Sequence, residues 1–288
     1  MTVAALLDLG ADREKLLKAL ESIPAGGFKT EITRVRKSGL DACDFNVVLD
    51  EDHENHDHDM AYLYSHEHPE LNELPDHHHE HTHDHHHHDD SHEHHHHSDD
   101  HYHEHSHEDH NHSESHHVHR SPEDVYRIIE ASDITEGARR IAKRTFEIIA
   151  RAEAKAHGVE LSEVHFHEVG AIDSIVDIIA AAVCIDDIGI DDVIVSPLSE
   201  GTGTVRCQHG IIPVPVPAVV NISIEHGLTI KQTQIKGEMI TPTGAALMAA
   251  VRTSDRLPDE YRIKAVGLGA GKRDYGTSGV VRAMIIEC

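Results

Sequence analysis

The sequence predicts an α/β or α+β fold, a mixed sheet with flanking helices, interrupted by one long insertion. Residues 28–35 and 40–49 alternate apolar and polar side chains around Lys37-Ser38-Gly39, the pattern of a β-hairpin. From residue 164 onward, short strand-like segments alternate with helical ones. Between these parts lies a stretch, 50–119, with too few apolar residues to build a core.

Before the hairpin, residues 3–9 and 12–23 show helical spacing, broken at Gly10 and ended by Pro24-Ala25-Gly26-Gly27. After the insertion, Ser121 is placed to cap a helix with Pro122 at its first position. A longer helix is expected from about Glu136 to His157, closed by Gly158. Further elements are expected at 193–196, 217–226, 228–235, 242–251, 262–266 and 280–286. The first 49 residues are too few to be stable alone. The predicted organisation is therefore 1–49 as the amino-terminal part of the core, 50–119 as a disordered insertion, and 120–288 as the main core.

Residues 50–119 hold 28 of the 33 histidines and 21 Asp and Glu, with no Lys or Arg. Without those carboxylates the formal charge moves from -27 to -6, so the acidity is local. Imidazole and carboxylate suit borderline divalent metals such as Ni, Zn, Co and Cu(II), and the lack of Cys in the stretch excludes a soft thiolate site there. Runs such as His85, His86, His87, His88 and His94, His95, His96, His97 offer many overlapping ligand sets. A structural site instead needs a few fixed ligands. The stretch reads as metal capacity.

Cys43, Cys184, Cys207 and Cys288 show no paired spacing, which excludes a zinc ribbon and a disulfide framework. No basic-then-apolar leader opens the chain, and the longest apolar run, 178–185, is too short to span a bilayer. The expectation is a cytoplasmic protein without a membrane partner. The acidity and the absence of a basic stripe argue against nucleic acid.

The densest chemical motif is His165-Phe166-His167-Glu168-Val169-Gly170-Ala171-Ile172-Asp173-Ser174-Ile175-Val176-Asp177. If 165–167 is extended, both imidazoles share a side and Phe166 faces the core; if a helix starts near Gly170, Asp173 and Asp177 share a face. Such a junction suits a divalent metal with exchangeable positions, or a metal with a general base. A plain reading stays open, with Asp173 as a helix-start carboxylate and the histidines as surface residues. The 199–204 stretch, with Gly201 and Gly203, could wrap an anion in backbone N–H groups, and Cys207 and His209 add a thiol and an imidazole nearby. Thr241-Pro242-Thr243-Gly244 suits a helix start that either takes a phosphate or is simply capped. The 267–272 stretch fails as a phosphate loop, since Val266 and Arg273 stand at positions the motif reserves.

HFHEVGAIDSIVD, GTGTVRCQHGIIPVPVPA, KGEMITPTGAA and VGLGAGKRD, in this order behind a His-rich insertion, closely resemble the nickel-insertion proteins of nickel-pincer nucleotide biosynthesis, the LarC family. The resemblance covers nearly the whole chain. It implies a nickel chelatase or cyclometallase of the lyase class that places Ni(II) into pyridinium-3,5-bisthiocarboxylic acid mononucleotide with CTP consumed. The product carries one C–Ni and two S–Ni bonds and serves lactate racemase and similar enzymes. Against the family pattern, the chain opens in the helix that follows the usual first strand and glycine loop. It ends near where the CTP-associated domain would begin. CTP with Mg2+ or Mn2+ is accordingly expected to act through a separate carboxy-terminal half, and a homo-oligomer is expected.

From chemistry and position, nickel handling falls to His165, His167 and Glu168, with Asp173 or Asp177 as ligand or base. His209 and Glu238 rank second as metal ligands. Gly201, Gly203, Thr241 and Gly244 are the candidates for phosphate contact. The rival readings are a nickel or zinc store or metallochaperone, for which the insertion would be the function, and an inactive fragment of an insertase.

Overall fold

The computed structural model describes residues 1–50, 60, 63, 120–164, 166, 170–190, 192–207 and 209–288. The expectation of disorder for 50–119, and the histidine runs at 85–88 and 94–97, lie outside the described residues apart from Asp50, Met60 and Leu63.

Helices α1 (Thr2–Leu9) and α2 (Arg13–Glu21) precede a hairpin of β1 (Phe28–Lys37) and β2 (Leu40–Leu49). The carboxy-terminal strands β7 (Arg262–Ala270) and β8 (Val280–Glu287) complete a four-stranded sheet of order β1-β2-β7-β8. The two outer pairs are antiparallel, while β2 and β7 run parallel through Cys43 opposite Gly269, so the sheet is mixed. It joins the start of the chain to its end.

Helix α1 lies directly on the backbone of β7. A Cβ at Gly267 would stand 2.1 Å from the Ala5 carbonyl oxygen, and one at Gly269 would stand 2.5 Å from the Ala5 nitrogen. Glycine at both positions lets helix and strand touch without side chains between them. Asp8 Oδ2 locks the contact by accepting the Leu268 N–H at 2.8 Å.

Behind this sheet stands a helical layer. It comprises α3 (Pro122–Ala131), α4 (Glu136–His157), and α5 (Ile172–Ile188), followed later by α6 (Pro217–His226) and α7 (Pro242–Val251). Helix α3 starts in a capping box of Ser121 and Asp124 with Pro122 in its first turn, as the sequence predicts. Helix α4 ends at left-handed Gly158, also as predicted. Ten residues of α5 are buried, including Ile175, Val176, Ile178 and Ile179, so this helix is the spine of the core. Its broad apolar surface, interrupted on the cavity side by Asp173 and Asp177, is what a helix packed against α1, α2 and α4 requires.

Two small sheets flank the helices. Strands β3 (Leu198–Thr202) and β6 (Ile230–Lys236) pair in parallel, and β4 (Thr204–Cys207) and β5 (Gly210–Pro213) form a short hairpin. The expected strand at 193–196 reduces to one bridge between Ile194 and Ser254, because no longer partner lies alongside. The 199–204 stretch is not a loop wrapped on itself but the junction of β3 and β4, turning at Gly203 with φ of 88°.

Candidate functional site

A cavity of about 1410 Å3 opens between these layers. Its walls come from β2, the end of α4, the start of α5, the β4–β5 hairpin, the 238–244 segment and the loop between β7 and β8.

Helix α5 begins at Ile172 with no side-chain cap, and Asp173 in its first turn sits at the positive end of the helix dipole. Asp173 and Asp177 are one turn apart and both line the cavity. Asp177 is open to the cavity yet surrounded by protein. Burial accordingly pushes its carboxyl above the ordinary aspartate range, against the pull of nearby positive charge that includes Lys272. Lys272 is itself held 3.0 Å from Asp44.

Just before α5, Phe166 is buried against Phe146, with ring centroids 5.9 Å apart, and its N–H donates to the Arg120 carbonyl at 3.0 Å. Phe166 thus faces the core. His165, His167 and Glu168 themselves lie outside the described residues.

On the opposite wall, Thr241 caps α7, its Oγ1 accepting the Gly244 N–H at 3.2 Å, with Pro242 following. Thr241 and Gly244 both line the cavity, so the positive end of α7 faces it. The segment leading into α7 is held from beneath by Glu200, which is fully buried. Glu200 Oε1 accepts three backbone N–H groups, from Gly201 and Met239 at 2.8 Å and from Ile240 at 3.2 Å, while its Oε2 has no hydrogen-bond partner among the described residues. Burial raises its pKa and the three donors oppose that rise.

Glu238, buried at the cavity edge, meets the Arg273 guanidinium at 2.6 Å. Tyr275 O–H donates to the Glu238 carbonyl at 2.6 Å. Burial works against the Arg273 charge, but Glu238 and Tyr275 outweigh it and its pKa stands above the ordinary value. Glu238 is therefore engaged in an ion pair on the cavity rim.

His209 also lines the cavity, from the β4–β5 turn, with its Nδ1 3.7 Å from Cys207 Sγ. Its ring stacks at a tilt on His157 from the end of α4, centroids 4.8 Å apart. His157 Nε2 is 3.5 Å from Glu153 Oε2. Among the described residues no three His, Cys, Asp or Glu side chains are closed around one metal position.

Gly201 and Gly203 are not part of the cavity wall. Gly201 passes so close to the next segment that a Cβ would stand 1.8 Å from the Gly237 carbonyl oxygen, and its own carbonyl accepts from Gln232. Backbone packing thus accounts for this glycine. Sequence reasoning did not single out Glu200, Arg273, Tyr275, Lys272 or His157. The Cys207-Gln208-His209 spacing was the one local signal for the hairpin group, and Arg273 had entered only as a departure from a phosphate loop.

The family model for nickel insertion proteins matches residues 1–287. The chain belongs to the nickel insertion protein family. A pyridinium-3,5-bisthiocarboxylic acid mononucleotide nickel insertion protein of Alkaliphilus metalliredigens is 45% identical over 289 residues, covering 100% of this chain and 57% of the relative. Its counterparts in Acetivibrio thermocellus and Geobacillus kaustophilus are 41% and 33% identical, covering 99% and 100% of this chain and 56% of each relative. The chain thus spans little more than half the length of these curated family members. No solved structure matches it. Among the described residues no helix is long and apolar enough to cross a membrane.

Proposed function

We propose that this chain carries the nickel-handling and precursor-binding part of a nickel insertase that converts pyridinium-3,5-bisthiocarboxylic acid mononucleotide into the nickel-pincer nucleotide. The observation that carries this reading is one cavity with Asp173 and Asp177 on one wall and the Thr241-capped start of α7 on another. The relatives' names supply the substrate, and the cavity offers what such a substrate needs. A helix start suits its phosphate. Acidic side chains suit its cationic ring and the metal ion.

In this reading the mononucleotide phosphate lies toward Thr241 and Gly244, and the ring toward α5. Asp177, held above the ordinary aspartate range, accepts a proton more readily than a free aspartate does. It takes the proton from the ring carbon, and the C–H electron pair becomes the C–Ni bond as the two sulfurs close on the metal. Asp173 orients the incoming ion. His165, His167 and Glu168, which flank the anchored Phe166, are assigned to delivering nickel. CTP, with Mg2+ or Mn2+, is assigned to a carboxy-terminal half corresponding to the length these relatives have beyond this chain.

The test is to combine the chain with precursor nucleotide, Ni(II) and MgCTP, with and without a carboxy-terminal half, and to look for the nickel cofactor by mass spectrometry. Product formed with the half present supports the reading. Tight nickel binding with no product in either mixture would instead identify a store or metallochaperone.

A further inference from the structure

The proposed reaction does not use the group formed by the tip of the β4–β5 hairpin and the end of α4. Cys207 Sγ and His209 Nδ1 stand 3.7 Å apart. Two donors bound to one ion at about 2.3 Å for sulfur and about 2.1 Å for nitrogen, at a tetrahedral angle, stand about 3.6 Å apart. The pair therefore already has the separation of two ligands of a common metal. His157 stacks on His209, and its ring nitrogen is turned toward Glu153. Among the described residues no third ligand is in place, and His157, whose ring lies against that of His209, is the candidate for one.

We propose that Cys207 and His209, completed by His157, form a thiolate–imidazole site that takes Ni(II) at the cavity wall. Glu153 then serves as the partner that His157 leaves on binding, and it can fill a fourth position. All four residues line the cavity that holds Asp173 and Asp177, so an ion bound here is already on the substrate side of the fold.

The donor chemistry gives the site a direction, which rests on the function proposed above. Residues 50–119 contain no cysteine; their one sulfur is the Met60 thioether, packed against the core, and the remaining side-chain donors are nitrogen and oxygen. The hairpin site adds one sulfur, and a bisthiocarboxylic acid offers two. Sulfur ligation strengthens binding of a borderline ion, so each step from insertion to hairpin to substrate runs toward a better ligand set.

The experiment is a titration of the full chain with Ni(II) alone, under a non-thiol reductant, reading the sulfur-to-nickel charge-transfer absorption in the near ultraviolet. The histidine-rich stretch cannot produce that band, since it has no thiol. Cys43 and Cys184 are buried, and Cys288 is exposed. The band is expected in the unaltered chain and in Cys288→Ser, to vanish in Cys207→Ser, and to lose most of its intensity in His209→Ala. His157→Ala should weaken nickel retention while circular dichroism stays unchanged. No band, or a band that survives Cys207→Ser, would overturn the site. Because no precursor is present, that failure strikes only this inference, whereas a normal band with no cofactor formed in the full assay would strike the proposed function.

Discussion

Glu200 Oε1 accepts the Met239 N–H at 2.8 Å across 39 residues of sequence, and this one bond ties strand β3 to the turn that launches α7. The same oxygen takes two further backbone donors, so Glu200 sets the height at which Thr241 faces the cavity.

Removing that carboxylate should be costly. Glu200→Ala leaves the Gly201, Met239 and Ile240 N–H groups buried without an acceptor. At about 1–3 kcal/mol for each unsatisfied group, partly relieved by water entry, a loss of about 3 kcal/mol is expected. Chemical denaturation of the two proteins would measure it, and a change under about 0.5 kcal/mol, the scale of ordinary surface substitutions, would show that Glu200 is not the anchor.

Glu200→Gln isolates the charge. The folded pKa of Glu200 is raised by burial, so the native state holds this proton more firmly than the unfolded chain does. The resulting stabilisation is full below the unfolded pKa of about 4.3 and is lost as pH rises toward the folded value. Wild type should thus lose stability relative to Glu200→Gln as pH rises from about 4 upward. Denaturation midpoints of both proteins across that range check the sign.

At the sheet, Gly267→Ala should cost about 2 kcal/mol or more, because its Cβ would meet the Ala5 carbonyl and the Leu9 nitrogen, both backbone atoms that cannot turn aside. Gly26→Ala, with nothing within 4 Å of the added carbon, is the control and should be close to neutral. Thermal unfolding of the pair distinguishes local overpacking from a general intolerance of alanine.

In the cavity, Asp177→Asn should lower cofactor formation by about 100-fold or more while leaving stability nearly unchanged, since the carboxyl is open to the cavity and is the proposed proton acceptor. The wild-type rate should rise with pH through the elevated Asp177 pKa, and the variant should lack that limb. Initial rates from the mass-spectrometric assay across pH would show a persisting limb if another group is the base.

The histidine-rich stretch should release its nickel on mild acidification. With its 28 histidines protonated and 21 carboxylates ionised, its charge passes from -21 to +7. Release is expected between about pH 7 and 5, around the free histidine pKa. Elemental analysis after dialysis at stepped pH checks this, and retention down to about pH 4 would mean that carboxylates hold the metal.

What the sequence disclosed was local. The i, i+4 pair Asp173 and Asp177 and the Thr241-Pro242 helix start both follow from spacing within one turn, and the structure places both pairs in one cavity. The four-residue strands β4 and β5 escaped notice because Gly210 and Pro213 read as turn residues and so short an alternation carries little signal. Glu200 and the Arg273–Glu238 pair were invisible for a different reason. Met239 and Ile240 lie 39 and 40 residues from Glu200, and Glu238 lies 35 from Arg273, so only the fold brings these groups together. Gly201 has a packing role that its local sequence does not reveal, since a Cβ there would meet the Gly237 carbonyl.

The described segments on either side of 51–119 border the cavity. Leu49, at the end of β2, lines it, and Arg120 is bridged to Phe166, which lines it too. Under the proposed function, an ion carried along that length would be leashed at both ends to the cavity. Its encounter with the cavity is then intramolecular, with an effective concentration of order millimolar set by the tether rather than by the trace of free nickel in solution. Supply becomes a property of chain geometry, and the arrival of metal should stay independent of protein concentration.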